Sequence, residues 1–479
     1  MNLLLAAQML GWLIVAMGAL QALPMLAALG FGESALPYAT SGAALIAVGL
    51  PIALGVQPHS VRIRPRDAFL IVSSAWFVAA LAGALPYLTT GTLEPVDAFF
   101  ESAAGFTTTG STVLTGIDGR PHGLLLWRSL TQWMGGMGIV VFTVALMPLL
   151  GIGGMQLFKA EVPGPVTEKI RPRVMQTARH LWFIYVGLTA AECVALMLAG
   201  LGFFDALCHA LTTTSTGGFS TRDASIGAFD SALVEWIVIV FMMLAGINFV
   251  LHYRLLTGRV RDVFGDSELR YFVGAVVAAS AVIAIALWSH GAEGEGRIRA
   301  SVFQVVSVMT TTGYATRNFE LWPSLAMLVL LGLMILGAMS GSTSGGVKSL
   351  RAILSFRALR CSFAVASHRN AVRPPVRYGG KAVEPDVVAG VWAFFAAYVG
   401  VVALAAFVIA AADYDLLTAL SGALTVVGNV GPGLGAIGPF DHFGHFPAGV
   451  KLLLATCMIA GRLELFTLLV LLSPGFWRR

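Results

Sequence analysis

Charge is what this sequence has least of. Only 11% of its 479 residues are Asp, Glu, Lys or Arg, 57% are hydrophobic, and the mean hydropathy is +0.82. A soluble globule carries about 25% charged residues because its surface must be wetted. A soluble domain is therefore excluded, and most of this surface must face lipid. Cysteine is scarce: Cys193, Cys208, Cys361 and Cys457 are scattered without paired metal-ligand spacing, which argues against a disulfide framework and leaves packing as their role. There is no glycine loop followed by Lys-Ser, no nucleophile triad and no zinc-ligand pattern. Enzyme chemistry is unsupported, no organic cofactor is expected, and any nucleotide must be bound by a partner. Met1 to Leu20 lacks a basic start and a cleavage site, and reads as a retained first helix.

The charges that are present mark topology. The formal net charge of +5 could suggest nucleic acid, but 22 of the 30 basic residues fall in short segments between apolar runs: Arg62 to Arg66, Lys159 to Arg179, Arg254 to Arg270, Lys348 to Lys381, and Arg478 with Arg479. Such clusters mark cytoplasmic loops and contact anionic lipid. Apolar runs of about 20 residues are the useful unit, and ten occur: 3–29, 36–57, 68–90, 123–150, 180–201, 232–256, 271–290, 322–347, 387–411 and 449–473. With both termini cytoplasmic, every large basic cluster falls inside and the loops opening at Glu94, Phe203, Gly291 and Asp413 fall outside.

Those four outer connections are unusual. Val96 to Val113, Phe204 to Thr221, Arg299 to Thr316 and Leu417 to Leu434 are too short to span, and each ends in small hydroxylated residues and glycine. They suit half-helices that dip into the membrane and return as extended backbone, tolerated there only around a protein-lined or water-filled cavity. Aligned without gaps, they place Gly110, Gly218, Gly313 and Gly431 in register, preceded by Thr108-Thr109, Thr216-Gly217, Thr311-Thr312 and Asn429-Val430. The expected fold is an all-α polytopic membrane protein. It has a fourfold pseudo-symmetric repeat of span, half-helix, filter loop and span around a central pore, after an N-terminal helix pair. The expected boundaries are 1–66 for the pair, then 67–175, 176–265, 266–380 (with a gate loop) and 381–479.

A dehydrated potassium ion needs a ring of oxygens in place of its water, and four backbone loops supply one in potassium channels. Glycine permits the backbone angles that aim successive carbonyls at an axis, and a preceding threonine adds a hydroxyl. Half-helices present their negative C-terminal ends to the pore centre. No acidic residue stands at the twelve positions, so the chemistry is carbonyl-like rather than a carboxylate ring. A second filter glycine is replaced by Thr112, Ser220 and Ala315 in three copies and kept as Gly433 in the fourth. A shorter filter with weaker rejection of sodium is expected.

The chain resembles the Trk/Ktr/HKT superfamily of potassium transporters, and within it the TrkH branch. The similarity rests on Trp127-Arg128-Ser129, Gln132 to Gly138 (QWMGGMG), Ser215 to Phe219 (STGGF), Thr311 to Ala315 (TTGYA), Gly341 to Lys348 (GSTSGGVK), Asn429 to Gly435 (NVGPGLG) and Gly461 to Glu464 (GRLE). The extra N-terminal pair favours Trk over Ktr. The resemblance implies potassium uptake, with K+ held at Thr108, Thr216, Thr311 and Asn429. It also implies a bacterial inner-membrane location, a homodimer, and a cytosolic nucleotide-binding regulatory partner of the TrkA type.

Two further features gain from it. From Gly337 to Gly346, eight of ten residues are Gly, Ser or Thr (Gly337, Ser340, Gly341, Ser342, Thr343, Ser344, Gly345, Gly346). Glycine costs up to ~1 kcal/mol of helix stability relative to alanine, so the span is expected to break here. Close helix packing through small residues is the other reading. The family's matching segment is a gate beneath the filter. Arg462 lies mid-span, where a charge costs at least ~2.5 kcal/mol. It reads as a cation barrier in the pore, as the family implies, or as a structural ion pair with Glu464. Arg128, Gln132 and Asn248 are expected to hydrogen-bond between repeats. Glu192 is a proton site or a helix–helix contact, and Asp441, His442 and His445 form a solvated loop rather than a metal site.

Overall fold

A computed structural model describes residues 2–58, 64–145, 170–289, 295–367 and 374–478. Arg62, Lys159, Lys169, Arg369, Arg373 and Arg479 of the basic clusters lie outside the described residues. The chain is a polytopic bundle of α-helices. Among the described residues six helices are long and apolar enough to cross a membrane, or eight if two sharply bent pairs each count as one span. The six are Leu3–Gly30, Leu36–Gly55, Arg66–Thr89, Ala178–Leu198, Ser267–Ser289 and Pro385–Ala410. Two of the other expected spans are the bent pairs: Ala232–Gly246 meets Phe249–Leu256 at 98°, and Ala448–Arg462 meets Phe466–Leu472 at 109°. A ninth, Ser324–Leu336, stops where the small-residue run begins. The tenth is His122–Ala145, whose expected end at 150 lies outside the described residues.

The N-terminal pair shows how lipid-facing helices associate without a hydrophobic drive. Glycines let backbones approach closely: a Cβ on Gly18 would lie 2.9 Å from the Gly42 carbonyl, and one on Gly42 would lie 2.9 Å from that of Gly18. The four short segments form helices at Pro95–Phe106, Phe203–Thr214, Glu295–Met309 and Leu416–Gly428. All four are buried through most of their C-terminal halves, as a helix end enclosed by protein must be. Asp415 starts the fourth by accepting from the amides of Leu417 (3.0 Å) and Thr418 (3.1 Å). Hydrogen bonds from the Thr418 hydroxyl and amide hold its carboxyl below the usual carboxylate range.

One small element escapes the hydropathy pattern. Arg377–Tyr378 and Lys381–Ala382 pair as a two-stranded antiparallel hairpin. Gly379 and Gly380 have φ of 56° and 79°, the two consecutive positive angles that a tight hairpin turn demands.

Candidate cation pore

Each half-helix stops because the chain turns left-handed just beyond it. Thr108, Thr216, Thr311 and Asn429 have φ of 52°, 54°, 57° and 55°. Two residues on, Gly110, Gly218, Gly313 and Gly431 have φ of 80°, 80°, 81° and 110°. The residue between is not left-handed in any copy. Alternating handedness turns successive carbonyls toward one side of the strand instead of opposite sides. Positive φ costs a non-glycine residue of order 1–3 kcal/mol, and such angles persist only where surroundings enforce them. Three threonines and an asparagine hold the angle at matching positions.

The four glycines form a closed ring. A Cβ on Gly110 would lie 2.3 Å from the Gly217 carbonyl oxygen. One on Gly218 would lie 1.8 Å from that of Thr312, one on Gly313 2.1 Å from that of Val430, and one on Gly431 2.8 Å from that of Thr109. Each loop's glycine thus abuts the carbonyl before the next loop's glycine, and the fourth returns to the first. No side chain larger than hydrogen fits the first three contacts. All four glycines line a single cavity of about 330 Å³, which opens past Thr112 and Ser220 to Asp223 and Asp441.

The hydroxyls differ among the copies. Thr108 Oγ1 is buried and has no hydrogen-bond partner. Thr216 Oγ1 donates to the Ser215 carbonyl at 2.6 Å, and Thr311 Oγ1 accepts from the Gly345 amide at 2.7 Å. The Asn429 side chain donates to Thr109 Oγ1 (2.8 Å) and the Met458 carbonyl (2.9 Å), leaving Oδ1 unpartnered. It ties the fourth loop to the first.

Beneath the ring lies the 337–346 run. Helix ends at Leu336 and resumes at Ser349, and Gly337, Gly341 and Gly346 have φ of 63°, 76° and 71°. Glu268 Oε1 accepts from the amides of Ser340 (2.7 Å) and Leu350 (3.0 Å), drawing the loop's two ends together. Thr343 Oγ1 donates to the Thr214 carbonyl at 3.1 Å. With the Gly345 bond to Thr311, this seats the loop directly against the second half-helix and the third glycine-bearing loop.

Arg462 is buried, and its Nη1 donates to the Thr343 carbonyl at 2.6 Å. Glu464 is not its partner: that carboxylate pairs with Arg351, in the helix after the loop. The ion pair with Glu464 is not made because residues two apart point to different helix faces and Glu464 meets Arg351 instead. Leu465, at φ 54° and ψ −56°, forms a γ-turn in which the Phe466 amide donates to the Glu464 carbonyl at 2.6 Å, a rare and strained geometry.

Arg128 and Gln132 do bond between copies. Gln132 donates to the Gly217 carbonyl (2.7 Å) and accepts from the Phe219 amide (3.0 Å). Arg128 donates to the Ser220 carbonyl at 3.1 Å and pairs with Glu101 at 2.9 Å. Asn248 does not: its Oδ1 accepts from Val250 N at 2.9 Å, capping the helix after the bend. Glu192 is buried beside the second half-helix, 3.5 Å from Thr214 Oγ1 at one oxygen and unpartnered at the other. Among the described residues no group of three or more His, Cys, Asp or Glu is placed to hold a metal ion, Asp441, His442 and His445 included. The cysteines are free. Glu101 and Glu268 went unnoticed in the sequence, although a carboxylate inside or abutting an apolar segment is the signal that finds them.

Comparison with known proteins identifies the family and the fold. The family TrkH, described as cation transport protein, matches residues 38–478. The Trk system potassium uptake protein TrkH of Escherichia coli K12 is 38% identical over 478 residues, covering 98% of each chain. That of Vibrio parahaemolyticus is 40% identical over 464 residues, covering 95% of each. The crystal structure of the potassium transporter TrkH from Vibrio parahaemolyticus superposes with a TM-score of 0.92 at 36% identity, covering 100% of both chains. With its family matched over nearly the whole chain and its fold shared end to end, this protein belongs to the TrkH family of multi-pass inner-membrane cation transport proteins.

Proposed function

We propose that this protein carries potassium into the bacterial cell through one pore. Its filter is Thr108-Thr109-Gly110, Thr216-Gly217-Gly218, Thr311-Thr312-Gly313 and Asn429-Val430-Gly431. The observation that carries the reading is the closed ring in which each glycine abuts the carbonyl of the next loop. Oxygens without acidic side chains suit a monovalent cation stripped of its water. The repeats then run 67–175, 176–265, 266–380 and 381–479 after the pair 1–66, with both termini cytoplasmic. The 337–346 loop is the gate and Arg462 the electrostatic barrier beneath the filter. The names of the relatives, subunits of a Trk system, support a cytosolic nucleotide-binding regulatory partner, and the family supports a homodimer in the lipid bilayer.

Rubidium and sodium uptake into proteoliposomes tests the filter. Gly313→Ser puts a side chain where the Val430 carbonyl lies 2.1 Å from the Cβ position and is expected to collapse the preference for potassium. Unchanged selectivity would remove the filter assignment. A second reading, proton- or sodium-coupled alternating-access symport of potassium, has Glu192 in favour of its proton form, because an unpartnered buried carboxyl oxygen is a place for a transported proton.

A further inference from the structure

Each filter loop is held by more than its neighbours in the ring. Nine residues before the filter glycines stand Glu101, His209, Gln304 and Gly422, all on the half-helices. In the first copy Glu101 accepts from the Thr112 hydroxyl (2.9 Å) and the Val113 amide (2.8 Å), residues of the strand that leaves the filter. In the second, His209 Nδ1 faces the Asp205 carbonyl at 2.7 Å. A carbonyl can only accept, so Nδ1 carries the proton and Nε2 meets the Ser220 hydroxyl at 2.9 Å. In the third, Gln304 reaches the Tyr314 carbonyl at 3.4 Å, and Ser307 supports the same oxygen at 2.7 Å. In the fourth, Gly422 has nothing to offer, and the adjacent Ser421 both accepts from the Leu434 amide (2.9 Å) and donates to its carbonyl (3.0 Å).

We propose that this half-helix position is a buttress that sets how firmly each outgoing filter strand is held, and that Glu101 and Arg128 are the positioning pair that fixes potassium selectivity. The inference rests on the filter reading above. Of the four buttresses only the first is ionic. Glu101 and Arg128 are fully buried, and Arg128 extends the clamp across copies. Its Nη2 donates to Thr112 Oγ1 at 3.2 Å and Nη1 to the Ser220 carbonyl at 3.1 Å, while its guanidinium lies 4.0 Å from the centre of the Phe219 ring. One charged pair therefore holds the strands of the first and second loops at once. The third and fourth are held by neutral contacts, some of them also across copies, as where the Gly227 amide donates to the Ala315 carbonyl (3.1 Å) and the Ser111 hydroxyl to the Gly431 carbonyl (2.9 Å). Charge-assisted hydrogen bonds are roughly twice as strong as neutral ones, so the first two copies form the rigid side of the filter.

The test is the ratio of potassium to sodium inhibition of rubidium uptake by the full-length protein in proteoliposomes. Glu101→Gln leaves Arg128 without its carboxylate; Thr112→Val removes the hydroxyl joining the two at nearly constant volume; Thr112→Ser keeps it. The first two are expected to lower the ratio roughly tenfold, the equivalent of one hydrogen bond to a charged group, while Thr112→Ser restores it. If both keep the wild-type ratio while Gly313→Ser loses it, the buttress inference is wrong and the filter stands. If Gly313→Ser keeps it too, both fall. Should Glu101→Gln fail to reach the membrane, Thr112→Val decides alone on the same reading.

Discussion

Arg462 shows what a single residue can reveal of itself and what it cannot. Its charge in an apolar run was legible, because no other explanation covers such a cost. Its partner was not. The nearby Glu464 looked available, but the γ-turn at Leu465 turns it toward Arg351, and the guanidinium meets a carbonyl of the gate loop instead. In the proposed pore this guanidinium opposes other cations across the short distances of a low-dielectric interior. Arg462→Gln is expected to raise potassium flux severalfold, by lowering a barrier of about 1 kcal/mol or more. Lysine at the same position is expected to stay near wild type; flux unaltered by the glutamine would leave the arginine a structural role. Asn429 shows another limit of the sequence. Expected among the four residues that hold potassium, it also donates from its amide to the first loop and so stitches the fourth loop to it. An amide offers both functions, and only geometry says which is used.

At the scale of elements, length and periodicity carried the half-helices well. Each expected segment holds the C-terminal end of one, which starts one to four residues earlier, because the change from apolar residues to threonine and glycine marks the place where helix gives way to extended backbone. The breaks in 232–256 and 449–473 left no such mark. At the second the chain runs Arg462-Leu463-Glu464-Leu465, good helix formers that are bent by tertiary contacts rather than local preference. The 337–346 loop, proposed as the gate, is the opposite case: its small residues declare the interruption, and the structure adds that it is pinned at Thr343 and Gly345 to the second half-helix and Thr311. Deleting 342–345 removes both pins together with the carbonyl that receives Arg462. Uptake is expected to become faster and less dependent on any regulatory partner, as measured in proteoliposomes. Uptake at the wild-type rate would deny the loop its gating role.

For the whole molecule the question is whether ion movement is coupled. In the proposed pore, four loops arranged head to tail around one cavity give every ion the same central route, and only the loop beneath them has to move. A carrier more often uses two inverted halves that rock about a midplane site. Glu192 is the residue that keeps coupling in contention, and it lies behind the second half-helix, among Thr213 and Thr214 rather than on the ring. A proton there would have to cross packed protein to share the potassium path. Purely electrodiffusive flux obeys a simple balance: a tenfold gradient is worth about 1.4 kcal/mol, and a charge crossing 100 mV about 2.3 kcal/mol, so the reversal potential moves about 60 mV per tenfold change in potassium. One-to-one coupling to protons moves two charges per potassium and halves that slope. The pore predicts the full slope, insensitive to a pH gradient, in wild type and in Glu192→Gln alike. A half slope that Glu192→Gln restores to the full value would establish coupling through that carboxyl and return the ring of glycines to the status of an occluded binding site.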